Sequence, residues 1–219
     1  MSHETIYKSL YVQTRGVLKT ELQECLRSAR AIRRSKHATR KGLKLRKIKD
    51  AVPISERPPE VADRAVPGHW EGDLSISANN SHIATLVERR SRFVMLAKVG
   101  NKDTRSVITA LIKQARKMPK DLYRSLTWDR GSEMTDHARF TMATKIDVYF
   151  CDPQSPWQRG SNENTNRLLR QYFPRGIDIS SCSQAKLSAV ARQLNERPRK
   201  TLQYQTPAEK FGRCVAATR

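Results

Sequence analysis

Three acids in this chain of 219 residues stand where a two-metal phosphoryl-transfer centre would need them. Such chemistry requires carboxylate oxygens converging on divalent cations about 4 Å apart, one cation activating the attacking oxygen and the other steadying the leaving one. Asp73 lies in GHWEGDLSI, whose alternation predicts a strand with Glu71, Asp73 and Ser75 on one face and Trp70, Gly72, Leu74 and Ile76 on the other. Asp129 closes the short strand SLTWD just before the Gly-containing turn RGSE, and Glu163 opens a helix in SNENTNRLLRQYF. Each has a local explanation when taken alone: a solvated strand residue, a turn former, and an acid at the positive end of a helix dipole. Taken together, in a chain short of acids, they occupy a strand middle, a strand end and a helix start. Glu71 shares the face of Asp73 and reads as its support, while Glu133 and Asp152 read as turn or cap residues.

The surrounding charge has the opposite sign. Against 21 Asp and Glu stand 42 Lys and Arg, a net charge of +21 and a sequence pI near 10.4. That balance points to a polyanionic partner, nucleic acid before membrane. The longest apolar run, Phe93 to Ala97, is far shorter than the roughly 20 residues of a membrane span, and MSHETIYK lacks the apolar stretch of a signal peptide. A cytosolic protein is expected. Cys25, Cys151, Cys182 and Cys214 form no CxxC pair and the five histidines are scattered, which argues for reduced, buried thiols and against zinc.

The elements that must position the three acids follow a mixed pattern. Residues 1–65 read as a basic arm: Ser2 caps a short helix carrying Ile6, Tyr7, Leu10 and Tyr11, and Leu18, Leu22 and Leu26 mark a second helix. From Arg27 to Lys49 there are eleven Lys or Arg and no acid, Arg33, Arg34, Lys36, Arg40 and Lys41 among them. This segment suits sequence-independent attraction to phosphates, or else is simply solvated. Prolines at 53, 58, 59 and 67 interrupt helix formation, and a boundary is placed near residue 65. Residues 66–219 then give three consecutive strands (68–77, 82–89 and 92–99), with turns at Asn79–Asn80 and near Ser91. A helix capped by Asp103, a strand at 125–129, a helix over 135–145, a strand at 148–151 and a helix over 161–173 follow. A helix over 183–195 ended by Pro198, and a capping box of Thr206, Pro207 and Glu209, complete the series. Three antiparallel strands extended by two more through helical crossovers make an α/β fold, in the order of a ribonuclease H-like domain among other α/β possibilities.

The motifs GHWEGD (68–73), TWDRGSE (127–133), CDPQSPWQRGSNENTNRLLRQYFPRG (151–176), LNERPRKTL and TPAEKF resemble the IS-thirty family of bacterial insertion-sequence transposases, over essentially the whole chain. The resemblance implies a retroviral-integrase-like, ribonuclease H-like catalytic domain with a mixed five-stranded sheet flanked by helices. It implies a DDE triad of Asp73, Asp129 and Glu163, with 33 residues between the last two, acting both as catalytic residues and as ligands of two Mg²⁺ or Mn²⁺ ions. It also places a basic residue two turns after the glutamate. Arg170 stands there, with Asn166 and Arg167 on nearly the same helix face, aimed at a phosphate backbone. Trp157 and Arg159 in the loop before that helix suit base stacking and phosphate pairing, or Trp157 packs on the sheet and the loop only connects; Arg197, Arg199 and Lys200 suit phosphate contact as well. Family members are longer and carry a helix-turn-helix region, of which SHETIYKSLY resembles the last helix. The expectation is therefore a mis-called internal start or a shortened copy, with end recognition in doubt.

Three activities are compatible with these residues. One is a metal-dependent transposase that cuts element ends and joins them to target DNA as a homo-oligomer, without small-molecule cofactor or membrane. The second is a non-catalytic DNA-binding regulator of an intact transposase. The third is a ribonuclease H-like nuclease that cleaves without joining.

Overall fold

The computed structural model describes residues 48–61, 64–76, 81–153, 155–174 and 177–217. The chain divides into two units, Met1–Leu45 and Arg46–Arg219, and every described residue belongs to the second. The expected N-terminal helices and the basic residues Arg33, Arg34, Lys36, Arg40 and Lys41 lie outside the described residues, as does the turn at Asn79–Asn80. The division falls some twenty residues before the boundary expected near 65, because Val52–Pro53 is already part of the second unit's sheet.

Alternating and β-branched residues build the sheet from β1 (Val52–Pro53), β2 (His69–Ile76), β3 (His82–Glu88), β4 (Val94–Val99), β5 (Ser125–Trp128) and β6 (Asp147–Phe150). Its order is β1-β6-β5-β2-β3-β4. The β2-β3-β4 meander is antiparallel, whereas β5 and β6 add to β2 in parallel, with Glu71 opposite Thr127 and Trp128 opposite Phe150. The sheet therefore has six strands rather than the five expected. The extra one, β1, pairs in parallel with β6 and is only two residues long, too short to show a strand period.

The helices are α1 (Thr104–Ala115), α2 (His137–Thr144), α3 (Gly160–Leu169), α4 (Gln184–Glu196) and α5 (Pro207–Ala217). Three of their starts follow from side-chain caps: the Asp103 carboxylate accepts from Ser106 N–H at 2.9 Å, Ser183 caps α4, and Thr206 and Glu209 form the reciprocal capping box. The α3 helix stops at Leu169, four residues before the end expected at Phe173, and Arg170 becomes its C-cap.

Both sheet faces are covered, which buries every residue of β3. One core joins Trp70, Leu74, Leu86, Leu111, Phe140 and Phe211; the other joins Ile83, Val87, Leu96, Leu169, Leu187 and Leu194. Trp70 and Leu74 thus take the apolar side of β2, leaving the face of Glu71, Asp73 and Ser75 toward α3, whose residues bond to all three. The strand alternation predicted this partition.

Side-chain amides cover much of the outer edge of β4. Asn195 Oδ1 accepts from Val94 N–H at 2.8 Å and its Nδ2 donates to Val94 O at 2.9 Å. Gln184 accepts from Lys98 N–H and donates to Leu96 O, which also accepts from Gln114 Nε2. An exposed edge would otherwise template pairing with another strand. Asn195→Ala leaves one buried donor and one buried acceptor unmatched, and should cost about 2 kcal/mol; a urea midpoint that does not move would show this clamp to be dispensable.

Candidate active site

The parallel pairing of β2 with β5 sets the site. Asp73 follows the paired stretch His69–Glu71 on β2, and Asp129 directly follows Trp128 at the end of β5, so both carboxylates emerge on the same side of the sheet's carboxyl-terminal region. A single guanidinium joins them. Arg159 Nη1 lies 3.0 Å from Asp73 Oδ1, Arg159 Nη2 lies 3.3 Å from Asp129 Oδ2, and Nη1 also donates to Gly72 O at 2.8 Å. Burial raises the Asp129 pKa above the usual carboxylate range, with Arg159 opposing that rise and the charges of Glu133 and Asp73 adding to it. Burial acts to lower Arg159, but Asp73 and Asp129 outweigh it and hold its pKa above the ordinary value. The pair therefore draws on a cation lodged between its two members.

Asp129 also serves its turn, since its Oδ1 accepts from Gly131 N–H at 3.1 Å. Its local role and its place beside Asp73 coexist. Gly72 is required for the approach of the two strands: a Cβ there would fall well inside contact distance of the Trp128 ring. The ring is fully buried and its Nε1 donates to Glu133 Oε1 at 3.2 Å. Glu133 lies in the short 3₁₀ turn Ser132–Met134, as a turn residue should, and is in addition the buried partner of Trp128, a role with no signal in TWDRGSE. Asp152 is exposed and bonded through Gln158.

Glu163 stands exposed in the first turn of α3, outside the Asp73–Asp129 pair. Among the described residues no group of three His, Cys, Asp or Glu side chains is gathered closely enough to hold a metal. The helix carrying Glu163 is nevertheless tied to the site at three points. Glu71, 1 % exposed, accepts from Asn162 N–H at 3.0 Å; Thr85 donates to Asn162 Oδ1 at 2.9 Å; and Asn166 Nδ2 donates to Asp73 Oδ2 at 2.8 Å. Glu163 lies three residues before Asn166, hence on the same helix face one turn away. Glu71 supports the site by anchoring α3, its other oxygen being paired with Arg89 at 3.0 Å.

The basic residues expected at DNA divide into two groups. Arg159, expected to reach outward, turns inward to the carboxylates, and Asn166 does the same. Arg170 reaches back to Ser75 Oγ at 3.2 Å, and the half-buried Arg199 donates to Leu194 O at 3.0 Å. Arg167 and Lys200 are exposed, as is Arg197, which donates to Gln171. Trp157 is 72 % exposed, which excludes its packing on the sheet. Cys151, Cys182 and Cys214 are buried, as expected, and the Cys214 thiol donates to Lys210 O, whereas Cys25 lies outside the described residues. No described helix is long and apolar enough to cross a membrane.

An oxygen-only donor set on a shared cation suits Mg²⁺ or Mn²⁺, which favour carboxylates, and offers no soft ligand for zinc. Asp73 and Asp129 supply two such carboxylates side by side, while Glu163 stands apart from them on a helix tied to Asp73 through Asn166.

Comparison with known proteins accords with this geometry. The integrase core domain family matches residues 63–156, a stretch that includes Asp73 and Asp129 and stops short of Glu163. The transposase InsI of element IS30A of Escherichia coli (strain K12) is 48 % identical over 219 residues, covering 100 % of this chain and 57 % of that protein. The transposase of IS1086 from Cupriavidus metallidurans is also 48 % identical, over 99 % of this chain and 63 % of its own length. That of IS4351 from Bacteroides fragilis is 37 % identical, over 98 % and 65 %. The chain therefore spans a little over half the length of these relatives. Among solved structures, the catalytic core domain of BIV integrase superposes with a TM-score of 0.53 at 19 % identity, covering 69 % of this chain and 97 % of that one. The fold is that of an integrase catalytic core, the ribonuclease H-like architecture expected from the strand order.

Proposed function

Over its length the chain belongs to the IS30 family of insertion-sequence transposases, and from that premise we propose that it cuts the ends of an insertion sequence and joins them to target DNA. The observation that carries the proposal is the convergence of Asp73 and Asp129 on one cation, with the Glu163 helix hydrogen-bonded to Asp73. Asp73, Asp129 and Glu163 are the catalytic carboxylates and would hold two Mg²⁺ or Mn²⁺ ions. Divalent ions so held lower the pKa of an attacking water or hydroxyl and steady the leaving oxygen in an in-line displacement.

The chain's own residues prepare that site. Arg159 keeps the two carboxylates together as their counter-ion and exchanges this role for a backbone phosphate when DNA arrives, which satisfies both the inward geometry and its place in the loop before α3. Asn166 orients Asp73, and Glu71 fixes the start of α3 so that Glu163 faces the same space. Arg167, Arg170, Arg197, Arg199 and Lys200 contact phosphates around the site. The basic segment containing Arg33, Arg34, Lys36, Arg40 and Lys41 adds attraction that weakens as salt rises. The partners are the element's double-stranded terminal repeats, the target DNA and further copies of the chain assembled on them. The setting is the cytosol, at the nucleoid.

The test supplies the full chain with Mg²⁺, pre-nicked element-end DNA and a target plasmid, and reads the products. Covalent joints between end and target support transposition. Cleaved fragments without joints would make the chain a nuclease, and intact DNA binding without products would make it a regulator; either result overturns the proposal.

A further inference from the structure

A polar cavity opens beside Glu71, and Asp73 is not among the residues that line it. It has a volume of about 320 Å³ and is lined by Arg57, Arg64, Arg89, Glu71, Trp157 and Gly160, among others. Two stretches of the chain supply its three guanidiniums, Arg57 and Arg64 from one and Arg89 from the end of the β3 strand. Among the described residues that line it, Glu71 is the one carboxylate, and it is already engaged: it pairs with Arg89 and accepts from Asn162 N–H at 3.0 Å. Arg89 is 6 % exposed and its Nε has no hydrogen-bond partner, a buried donor that a ligand oxygen could satisfy. Burial first, and then the neighbouring Arg89 charge, brings Arg57 down to about 10, and burial lowers Arg89 as well, against the opposing charge of Glu71. The cavity also abuts Gly160 at the start of α3, where helix N–H groups favour negative charge. On its rim stands the indole of Trp157, 72 % exposed.

We propose that this cavity is a phosphodiester subsite, seating the backbone of a DNA strand beside the carboxylate centre while Trp157 stacks on an unpaired base next to that phosphate. Its size lies at the small end of ligand pockets of about 300–1,000 Å³, enough for a sugar-phosphate unit and not for a duplex. Glu71 and Asp73 share a strand face two residues apart, about 7 Å, or roughly two nucleotide rises along one strand. The subsite therefore lies within a few nucleotides of the position handled at Asp73 and Asp129. Such a contact would hold one strand in register and favour an end whose bases are unpaired over continuous duplex. The identity of the anion as DNA rests on the transposase reading; the arginine cavity and the exposed indole do not.

The experiment uses the full chain in EDTA with a short duplex bearing an unpaired end, so that binding is read without catalysis. Of the chain's three tryptophans, Trp70 and Trp128 are fully buried, and quenching of the accessible emission therefore reports Trp157. The native chain should show quenching on DNA addition, greater with the unpaired end than with blunt duplex. Arg57→Ala with Arg64→Ala should weaken binding about tenfold and flatten the slope of log K against log salt by about 1 to 2. Lys113→Ala with Lys117→Ala, an exposed pair in the last turn of α1 and just beyond its end, should change both much less. Arg64→Ala alone, at an exposed position, should give a smaller loss in the same direction with an unaltered urea midpoint. Quenching, affinity and salt slope in the double arginine variant that match the lysine variant would overturn the subsite. Joints formed with native efficiency alongside that result would leave the transposase reading standing, whereas arginine-dependent quenching without any joining would retain the subsite and remove transposition.

Discussion

Asp129→Ala is expected to abolish DNA joining, with a loss of at least about 10³-fold, while salt-sensitive DNA binding changes little. The magnitude follows from the place of Asp129. It provides one of two carboxylates that share a cation, one within β2 and one at the end of the parallel β5, and removing it takes away half of the negative pair formed with Asp73. Interactions that stabilise developing charge in a preorganised, partly buried site contribute several kcal/mol to a barrier, and each 1.36 kcal/mol is tenfold in rate. Binding should survive because the net charge of +21 is spread over the chain and the loss of one acid makes it slightly more basic. Burial already disfavours the ionised form of Asp129, so the substitution should not unfold the protein. Retained joining in a gel assay would remove Asp129 from the triad.

Gly72→Ala should be the most damaging single methyl group in the sheet. The new Cβ would enter the space of the Trp128 ring, whose indole is held to Glu133 and whose backbone leads directly into Asp129. Either the ring leaves its place in the core or β2 and β5 separate, and overpacking of this kind costs about 3 kcal/mol. Because Gly72 O also accepts from Arg159, the displacement reaches the carboxylate pair from two directions. The expected result is a lowered urea midpoint together with lost joining. A native midpoint with native activity would show that the two strands tolerate a wider spacing here.

Much of this arrangement was legible in the residues because local rules and tertiary packing agree. The alternation of β2 placed Trp70 and Leu74 in the core and Glu71, Asp73 and Ser75 against α3, and the caps at Asp103 and Thr206 formed as their spacing predicts. What escaped was non-local. A two-residue strand such as Val52–Pro53 has no period of its own and exists through its pairing with Tyr149 and Phe150. The inward turn of Arg159 depends on two carboxylates meeting from separate strands, and a sequence reading of the loop alone sends that arginine to DNA. Glu133 sits in its turn as expected, but nothing in TWDRGSE announces the Trp128 indole as its buried partner. The arginine cavity likewise draws on positions 57, 64 and 89, each unremarked within its own segment.

The central claim is that three carboxylates, two already paired and one on a helix beside them, form a single cation-dependent centre. Its most direct test is the number of Mn²⁺ ions bound to the chain in complex with element-end DNA, counted by electron paramagnetic resonance for the native chain and for Glu163→Gln. The account predicts two ions in the native complex and a loss of at least one in the variant, with DNA affinity unchanged. Equal Mn²⁺ binding by the two proteins would contradict it and place Glu163 outside the centre.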